Sequence, residues 1–265
     1  MIADPDLVGT LLARIAHWRQ PGLYTIGICG AQGSGKTTLV AALAEQLALR
    51  GVKVATLSLD DLYLGREERQ ELARTIHPLF ATRGVPGTHD PGLGLATVDA
   101  LKRGEAAPLP RFDKASDDPL PRIEWPPAPP GTEVLLLEGW CLGATPQNEA
   151  ALATPVNAFE REEDPDGTWR RHANARLAGD YQPLFAAVNR LILLAAPSWE
   201  VVAAWREQQE ADLRMRGGSA VMTPEQIVRF IQHYERLTRH VLATMPDHAD
   251  LTVRLDEGRA VRAID

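Results

Sequence analysis

The run of residues from Gly30 to Thr37 matches the pattern G-x-x-x-x-G-K-[ST]. Its glycines let successive backbone N–H groups point at one anion, and the N-terminus of a following helix adds partial positive charge there. Such a loop binds the phosphates of a nucleoside triphosphate, with the lysine at the β- and γ-phosphates and the threonine hydroxyl on Mg²⁺. The candidate nucleotide-binding residues are Gly30, Ala31, Gln32, Gly33, Ser34, Gly35, Lys36, Thr37 and Thr38.

Two adjacent carboxylates, Asp60 and Asp61, follow the next apolar run within the segment Ser58 to Tyr63. Ligands bind just outside the carboxyl ends of the strands in an open parallel sheet. A carboxylate placed there could accept the proton of an alcohol during phosphoryl transfer. Either aspartate could instead cap the following helix, and one of the pair could do each task.

A third carboxylate, Glu138, ends the apolar run Val134 to Leu137 and precedes Gly139. An apolar strand that ends in a single carboxylate resembles the second sequence signature of P-loop enzymes, with Glu in the position that is usually Asp. The acid would hold Mg²⁺ directly or through water, and a solvated glutamate at a strand end is the alternative. The candidate oxygen ligands of Mg²⁺ are Thr37, Glu138 and Asp60.

Three arginines, Arg206, Arg214 and Arg216, lie on or just after a predicted helix that runs into Gly217 and Gly218. This combination suits a mobile lid that brings guanidinium groups onto a phosphate in transfer. The alternative is an ordinary solvated helix face.

Two further segments, 83–90 and 110–114, carry polar side chains in predicted loops, where binding residues concentrate. Arg83, Arg111 or Lys114 could pair with a carboxylate or phosphate of an acceptor. Asp90 or Asp113 could accept hydrogen bonds from acceptor hydroxyls. Alternatively, His89 and Asp90 tie down a turn.

The periodicity of apolar residues predicts an α/β fold that starts with a parallel βαβ unit. The predicted helices cover 6–19, 37–50, 66–77, 198–216 and 224–244, and the strands cover 23–29, 52–59, 134–137 and 191–195. Segment 148–182 is predicted as helices over the sheet edge. The glycines and prolines of 83–94 predict a structured loop, and those of 108–131 a long surface excursion. Alternation after residue 250 predicts a terminal β-hairpin that turns at 256–259.

The composition fits one α/β domain with insertions, since 265 residues with 45% hydrophobic content bury one full core. The formal charge of −7 predicts no general attraction to nucleic acid or to an anionic membrane. The N-terminal residues lack the features of a signal peptide, and no apolar stretch reaches membrane-spanning length. Two cysteines, Cys29 and Cys141, make no disulfide framework and fit a cytoplasmic protein. The sequence does not indicate an oligomeric state.

Taken together, these segments resemble the P-loop kinases of the phosphoribulokinase and uridine kinase superfamily, and within it the plant and fungal type of D-glycerate 3-kinase. The resemblance extends from about Leu23 to Met245 and rests on the order and spacing of its parts. Those parts are 30–38, 58–63, 83–90, 110–114, 138–143 and 205–217.

The resemblance implies a three-layer P-loop NTPase sandwich with a central, mostly parallel sheet, a helical lid and a C-terminal hairpin. One kinase domain would cover 1–265, with an acceptor-binding insertion at about 78–130 and a lid at about 206–219. The resemblance implies Asp60 as the general base, with Asp61 as second choice, and the three arginines as lid residues. Leu62 stands where relatives usually carry Phe. The implied acceptor contacts are Asp61, Tyr63, Arg83, His89, Asp90, Arg111, Asp113, Lys114 and Trp140.

We therefore expect a kinase that uses ATP and Mg²⁺ to phosphorylate a hydroxyl of a small molecule. D-Glycerate is the favoured acceptor, because the 83–90 and 110–114 motifs go with that subfamily. The alternatives are a kinase for a nucleoside, pantothenate or a sugar phosphate, and a non-catalytic switch protein that binds ATP. The acidic charge balance disfavours a kinase that acts on nucleic acid.

Overall fold

The computed structural model of the chain describes residues 5–215 and 223–265. The helices in these ranges are α1 (Pro5–Trp18), α2 (Lys36–Leu49), α3 (Arg66–Thr75), α4 (Pro91–Lys102), α5 (Glu149–Ala153), α6 (Ala158–Glu163), α7 (Thr168–Ala178), α8 (Tyr181–Ala186), α9 (Trp199–Met215) and α10 (Pro224–Thr244). The strands are β1 (Tyr24–Gly30), β2 (Val54–Ser58), β3 (Phe112–Asp113), β4 (Asp118–Pro119), β5 (Val134–Gly139), β6 (Arg190–Ala195), β7 (Leu251–Leu255) and β8 (Val261–Ile264).

The main sheet has the strand order β2-β5-β1-β6-β7-β8. Its neighbours pair in parallel except β7 and β8, which form the antiparallel hairpin predicted for the tail. The inner strands are continuous apolar runs, as expected where helices cover both faces of a sheet. The predicted fold class, an α/β sandwich with a mostly parallel sheet, is confirmed.

Alternate residues of each inner strand face opposite helical layers. Ile26, Leu136 and Ile192 pack in one apolar cluster with residues of α1, α2 and α9. Leu135 and Leu193 pack in a second cluster with residues of α4, α8 and α10. Because each buried Leu or Ile stabilises the fold by about 1.5–3 kcal/mol, these two cores fix the sheet that carries the motifs.

The predicted loop over 83–94 is wrong in its second half. Asp90 caps the N-terminus of α4 by accepting a hydrogen bond from the N–H of Leu93, and Pro91 takes the first helical position. Proline is well suited to that position, because it needs no N–H there and its φ is preset. The glycines at 92 and 94 were misleading as loop signals, since the helix continues through them to Lys102.

The proline-rich segment 108–131 is only partly the surface excursion that we predicted. It contains the two-residue strands β3 and β4, which pair as a short antiparallel ribbon. Leu109, Phe112 and Ala128 are buried in it. The segment therefore packs against the body of the domain and is held in place beside the sheet.

Candidate active site

The carboxyl ends of β1, β2 and β5 meet at one edge of the sheet, because these strands are parallel and adjacent. β1 leads into the phosphate-binding loop of residues 30–37, hereafter the P-loop, and β2 leads into a 3₁₀ turn, Leu59–Leu62. In the sheet ladder, Ile28 and Ser58 flank Glu138 from the two neighbouring strands. The topology brings the predicted motifs together.

The P-loop turns at two glycines in the left-handed region. Gly33 has a φ of 78° and Gly35 a φ of 88°, values that other residues rarely adopt. α2 begins directly after Gly35, so no side chain caps its first N–H groups. These donors and the partial positive charge of the helix N-terminus form a cradle for a phosphate group.

Glu138 links the P-loop to β2. Its Oε1 atom accepts hydrogen bonds from the hydroxyls of Thr37 at 2.9 Å and Ser58 at 3.1 Å. Its Oε2 atom lies 3.9 Å from Nζ of Lys36 and, within the part of the chain that is described, is buried without a hydrogen bond. A buried carboxylate oxygen in this state is costly, and a bound cation would satisfy it. The oxygens of Glu138 and Thr37 are donors of the kind that Mg²⁺ prefers, so these residues fit that ion.

Asp60 lies in the turn after β2 with both carboxylate oxygens engaged. The hydroxyl of Tyr63 donates to Oδ1 at 3.1 Å, and Nζ of Lys114 lies 2.6 Å from Oδ2. Burial by itself would raise the pKa of Asp60, but the ammonium groups of Lys114 and Lys36 outweigh it and hold the pKa below its usual value. Asp60 is therefore an ionised carboxylate close to Lys36.

A cavity of about 250 Å³ opens between these motifs. Lys36 and Asp60 both line it, and the cationic side chains among its lining residues outnumber the carboxylate of Asp60. This balance of charge favours an anionic ligand. The lining residues are Gln32, Lys36, Asp60, Tyr63, Arg83, Lys114, Trp140, Arg206, Phe230 and Tyr234.

Four of the predicted acceptor contacts, Tyr63, Arg83, Lys114 and Trp140, line this cavity. Arg83 is ion-paired with Asp117, and its guanidinium group lies 5.5 Å from the ring centroid of Phe112. The indole N–H of Trp140 donates to the carbonyl of Gly84 at 3.1 Å. Each of these two side chains is thus held in position by contacts outside the cavity.

Asp61 and Arg111 lie beside the cavity and pair with each other at 3.3 Å. Asp61 also accepts a hydrogen bond from the N–H of Phe112 at 3.3 Å. Burial raises the pKa of Asp61 even though the guanidinium of Arg111 opposes the shift. This carboxylate fastens the β3 segment to the turn after β2, whereas Asp60 faces the cavity.

Three other residues predicted to contact the acceptor, Asp90, Asp113 and His89, also make their hydrogen bonds within the protein. Asp90 is the exposed cap of α4, and the carboxylate of Asp113 accepts the N–H groups of Ala115 and Ser116, each at 3.0 Å. His89 is buried, stacks on Tyr63 with ring centroids 4.3 Å apart, and places Nδ1 2.7 Å from the hydroxyl of Tyr181. His89 and Asp90 thus make the local contacts that are expected of residues that hold a turn in place.

Arg206 lines the cavity from α9, and its guanidinium group lies 5.4 Å from the ring centroid of Phe230. The side chain of Arg214 and all of Arg216 lie outside the described residues, as does the segment 216–222 of the predicted lid. Trp205, the neighbour of Arg206, packs on the P-loop. A Cβ added at Gly33 would stand 2.7 Å from Cβ of Trp205.

The sequence analysis missed Phe230 and Tyr234, which reach the cavity from α10. Their spacing of one helical turn was the available signal, but it does not distinguish a core-facing helix from one that lines a site. Arg259 in the hairpin turn also contacts the P-loop: its Nε donates to the carbonyl of Gly33 at 2.6 Å, and its guanidinium lies 5.0 Å from the ring centroid of Trp205. No local motif marks such a contact between distant segments.

Comparisons with known proteins identify relatives of the chain. No family model matches the chain. The Schizosaccharomyces pombe protein named uncharacterized kinase mug58 is 33% identical over 252 residues, which cover 89% of this chain and 89% of that protein. The chloroplastic D-glycerate 3-kinase of Arabidopsis thaliana is 30% identical over 252 residues, 88% of this chain and 53% of that enzyme, so the chain spans about half of its length. The structure of D-glycerate 3-kinase from Cryptococcus neoformans var. grubii superposes with a TM-score of 0.79 at 24% identity, over 98% of this chain and 96% of that one.

A parallel sheet with a phosphate-binding loop after a central strand is the fold of a P-loop kinase, and the Cryptococcus structure shares it. The chain belongs to the same kinase family as the Schizosaccharomyces pombe protein, and it is similar to the Arabidopsis D-glycerate 3-kinase over about half of that enzyme's length. It is a kinase, as the sequence analysis expected. Within residues 5–215 and 223–265, no helix combines the length and the apolar character needed to cross a bilayer.

Proposed function

We propose that this kinase transfers the γ-phosphoryl group of ATP to a hydroxyl of D-glycerate, with Mg²⁺ at Glu138 and Thr37. The charge of the cavity carries this proposal. Arg83, Lys114 and Arg206 stand around Asp60 at the place where an acceptor must meet the phosphate-binding Lys36. D-Glycerate carries a carboxylate that these cations would pair with, as does pantothenate, and a sugar phosphate carries a phosphate, whereas a nucleoside has no anionic group.

The size of the cavity supports a small acceptor. Its volume of about 250 Å³ lies below the roughly 300–1,000 Å³ that is usual for pockets of drug-sized ligands. A three-carbon acid fits beside a phosphoryl group in such a space, and a nucleoside would need the walls to move.

In the proposed mechanism, the P-loop N–H groups and Lys36 bind the β- and γ-phosphates, and Glu138 with Thr37 holds the metal. Mg²⁺ held by these two residues would supply positive charge to the phosphates. Asp60 orients the acceptor hydroxyl and takes its proton while the oxygen attacks phosphorus in line. Tyr63 fixes the carboxylate of Asp60 for this task through its hydrogen bond to Oδ1.

Arg206 supplies positive charge from α9 to the phosphoryl group in transfer. We propose that it belongs to a lid over about 206–219, with Arg214 and Arg216 in the same role. We also propose that the segment 78–130 forms the acceptor side of the site, through Arg83 and Lys114.

A coupled assay of ADP release tests this function. Purified protein with ATP and Mg²⁺ is offered D-glycerate, a nucleoside, pantothenate and a sugar phosphate in parallel. We expect D-glycerate to give the highest kcat/KM. Preference for another acceptor would overturn the assignment of D-glycerate, and ADP release that responds to none of them would favour the switch protein.

A further inference from the structure

The ion pair between Lys114 and Asp60 is placed where it obstructs the proposed reaction. Nζ of Lys114 lies 2.6 Å from Oδ2 of Asp60, while Tyr63 occupies Oδ1. Both oxygens of the proposed base therefore already accept a hydrogen bond from the protein. An ammonium group against a carboxylate favours its charged form and weakens it as a proton acceptor.

The backbone around Lys114 is fastened on both sides. Asp61 accepts the N–H of Phe112, and Asp117 pairs with Arg69 at 2.7 Å. Asp118 accepts the N–H of Arg66 at 2.6 Å. The β3–β4 turn is thus a fixed base from which the Lys114 side chain extends.

The Lys114 side chain itself remains accessible, with 61% of its surface exposed, whereas that of Asp60 is 34% exposed. An ammonium group has three donors on a flexible stem, so it can turn from Oδ2 of Asp60 to another anion without any movement of the backbone. Lys114 also lines the cavity in which the acceptor would bind.

We propose that Lys114 is a specificity-determining residue, which blocks Asp60 until an acceptor with an anionic group enters the cavity and draws the ammonium group away. The inference rests on the proposed function, since it assumes that ATP and an alcohol meet at this site. A carboxylate on the acceptor would be recognised and would release the base in one event. Water carries no such group, so it leaves the block in place.

The chemistry that the block controls is the same for an alcohol and for water. The attacking oxygen forms a bond to the γ-phosphorus, the bond from that phosphorus to the oxygen bridging to the β-phosphate breaks, and ADP leaves. The proton of the attacking group passes to Oδ2 of Asp60. With Lys114 on Oδ2, the ammonium group lowers the affinity of that oxygen for the proton, so transfer of the proton from water is disfavoured and less ATP is lost to hydrolysis.

Hydrolysis of ATP in the absence of any acceptor tests the block directly. We expect Lys114→Met to hydrolyse ATP about tenfold faster than the wild type, a modest share of what a general base contributes. Lys114→Gln should show the same increase in hydrolysis, and Lys114→Arg, which restores a cation, should hydrolyse ATP more slowly than Lys114→Met.

The matched control is Lys102→Met, a change at an exposed lysine of α4. Asp60→Asn combined with Lys114→Met should lose the increase. Equal hydrolysis by the wild type and Lys114→Met would overturn the inference.

A second assay compares D-glycerate with glycerol, which has an uncharged group in place of the carboxylate. We expect Lys114→Met to reduce the preference in kcat/KM for D-glycerate at least tenfold, because the variant loses a charged hydrogen bond to the acceptor. An unchanged preference would contradict the inference. If the wild type phosphorylates no acceptor, the proposed function fails, and the hydrolysis assay still decides whether Lys114 restrains Asp60.

Discussion

The hydroxyl of Thr37 donates a hydrogen bond of 2.9 Å to Oε1 of Glu138, and this contact joins the first turn of α2 to the end of β5. A threonine hydroxyl keeps its acceptor lone pairs while it donates. Thr37 can therefore hold Glu138 in place and still present oxygen to a metal ion. The other oxygen of Glu138 is buried beside Lys36, where the phosphates of ATP would enter.

Glu138→Gln should raise the Mg²⁺ concentration needed for half-maximal activity about tenfold. The amide keeps the size of the side chain but removes the charge that would attract the metal. Titration of activity with Mg²⁺ measures the change. Glu133→Gln is the matched control. Glu133 lies just before β5, at the end of the strand that is far from Glu138, and forms an ion pair with Arg19. An unchanged Mg²⁺ requirement in Glu138→Gln would remove this residue from the proposed metal site.

Gly33→Ala should weaken ATP binding and destabilise the fold more than Gly51→Ala does. The two glycines have similar φ values of 78° and 75°, so each alanine carries a left-handed backbone cost of about 1–2 kcal/mol. Only at Gly33 would the new Cβ meet Trp205, at 2.7 Å, whereas the space around Gly51 is open. Denaturant unfolding and ATP titration compare the pair, and equal effects of the two changes would show that the P-loop does not need this close packing.

Asp60→Asn should lower kcat by about 10²–10⁴-fold, the usual contribution of a general base, while ATP binds nearly as before. Asp61→Asn should act differently, because Asp61 holds Arg111 and the N–H of Phe112. We expect it mainly to raise KM for the acceptor by loosening the β3 segment. Steady-state kinetics separate the two, and a wild-type kcat in Asp60→Asn would exclude Asp60 as the base.

Arg259→Ala should weaken ATP binding several-fold, as expected from the loss of a hydrogen bond made by a charged group. Arg259 holds the carbonyl of Gly33 and reaches Gln208 of α9 at 2.7 Å, so it joins the hairpin turn to both the P-loop and the helix that carries Arg206. Arg254→Ala serves as the control, because Arg254 forms its ion pair with Asp265 within the hairpin. Equal ATP affinities of the two variants would show that the contact with Gly33 has no role in binding.

Stability should fall as the pH falls, because of His89. Burial lowers the pKa of His89 from 6.5 to about 3, so between these values the unfolded chain binds a proton that the folded chain does not. His89 therefore contributes about 2 kcal/mol to the decrease in the free energy of unfolding from pH 7 to pH 5. Chemical denaturation at both pH values measures it, and His89→Asn should show a smaller decrease. The same decrease in both proteins would contradict this account of the histidine.

The sequence predicted the parallel core because apolar runs bounded by glycine are strong local signals. It also predicted that the P-loop, Asp60 and Glu138 would meet, since the ends of parallel strands share one edge of a sheet. It could not distinguish Asp60 from Asp61, because only the packing of β3 shows which carboxylate is taken by Arg111.

The residues on the acceptor side of the proposed site were harder to predict, because their contacts also depend on packing. Asp90 and Asp113 carry the polar groups expected of ligand contacts, but aspartate also satisfies nearby backbone N–H groups, and both carboxylates do so here. Phe230 and Tyr234 reach the cavity through the packing of α10 on the sheet. That arrangement depends on tertiary contacts, which local periodicity does not specify.

The identity of the phosphorylated product tests the central proposal most directly. Protein, ATP, Mg²⁺ and D-glycerate are incubated together, and the products are followed by ³¹P NMR. We predict that phosphoglycerate and ADP form in equal amounts with the wild type and that neither forms with Lys36→Ala. Release of ADP and inorganic phosphate without phosphoglycerate, or transfer to another acceptor in preference to D-glycerate, would contradict the proposal.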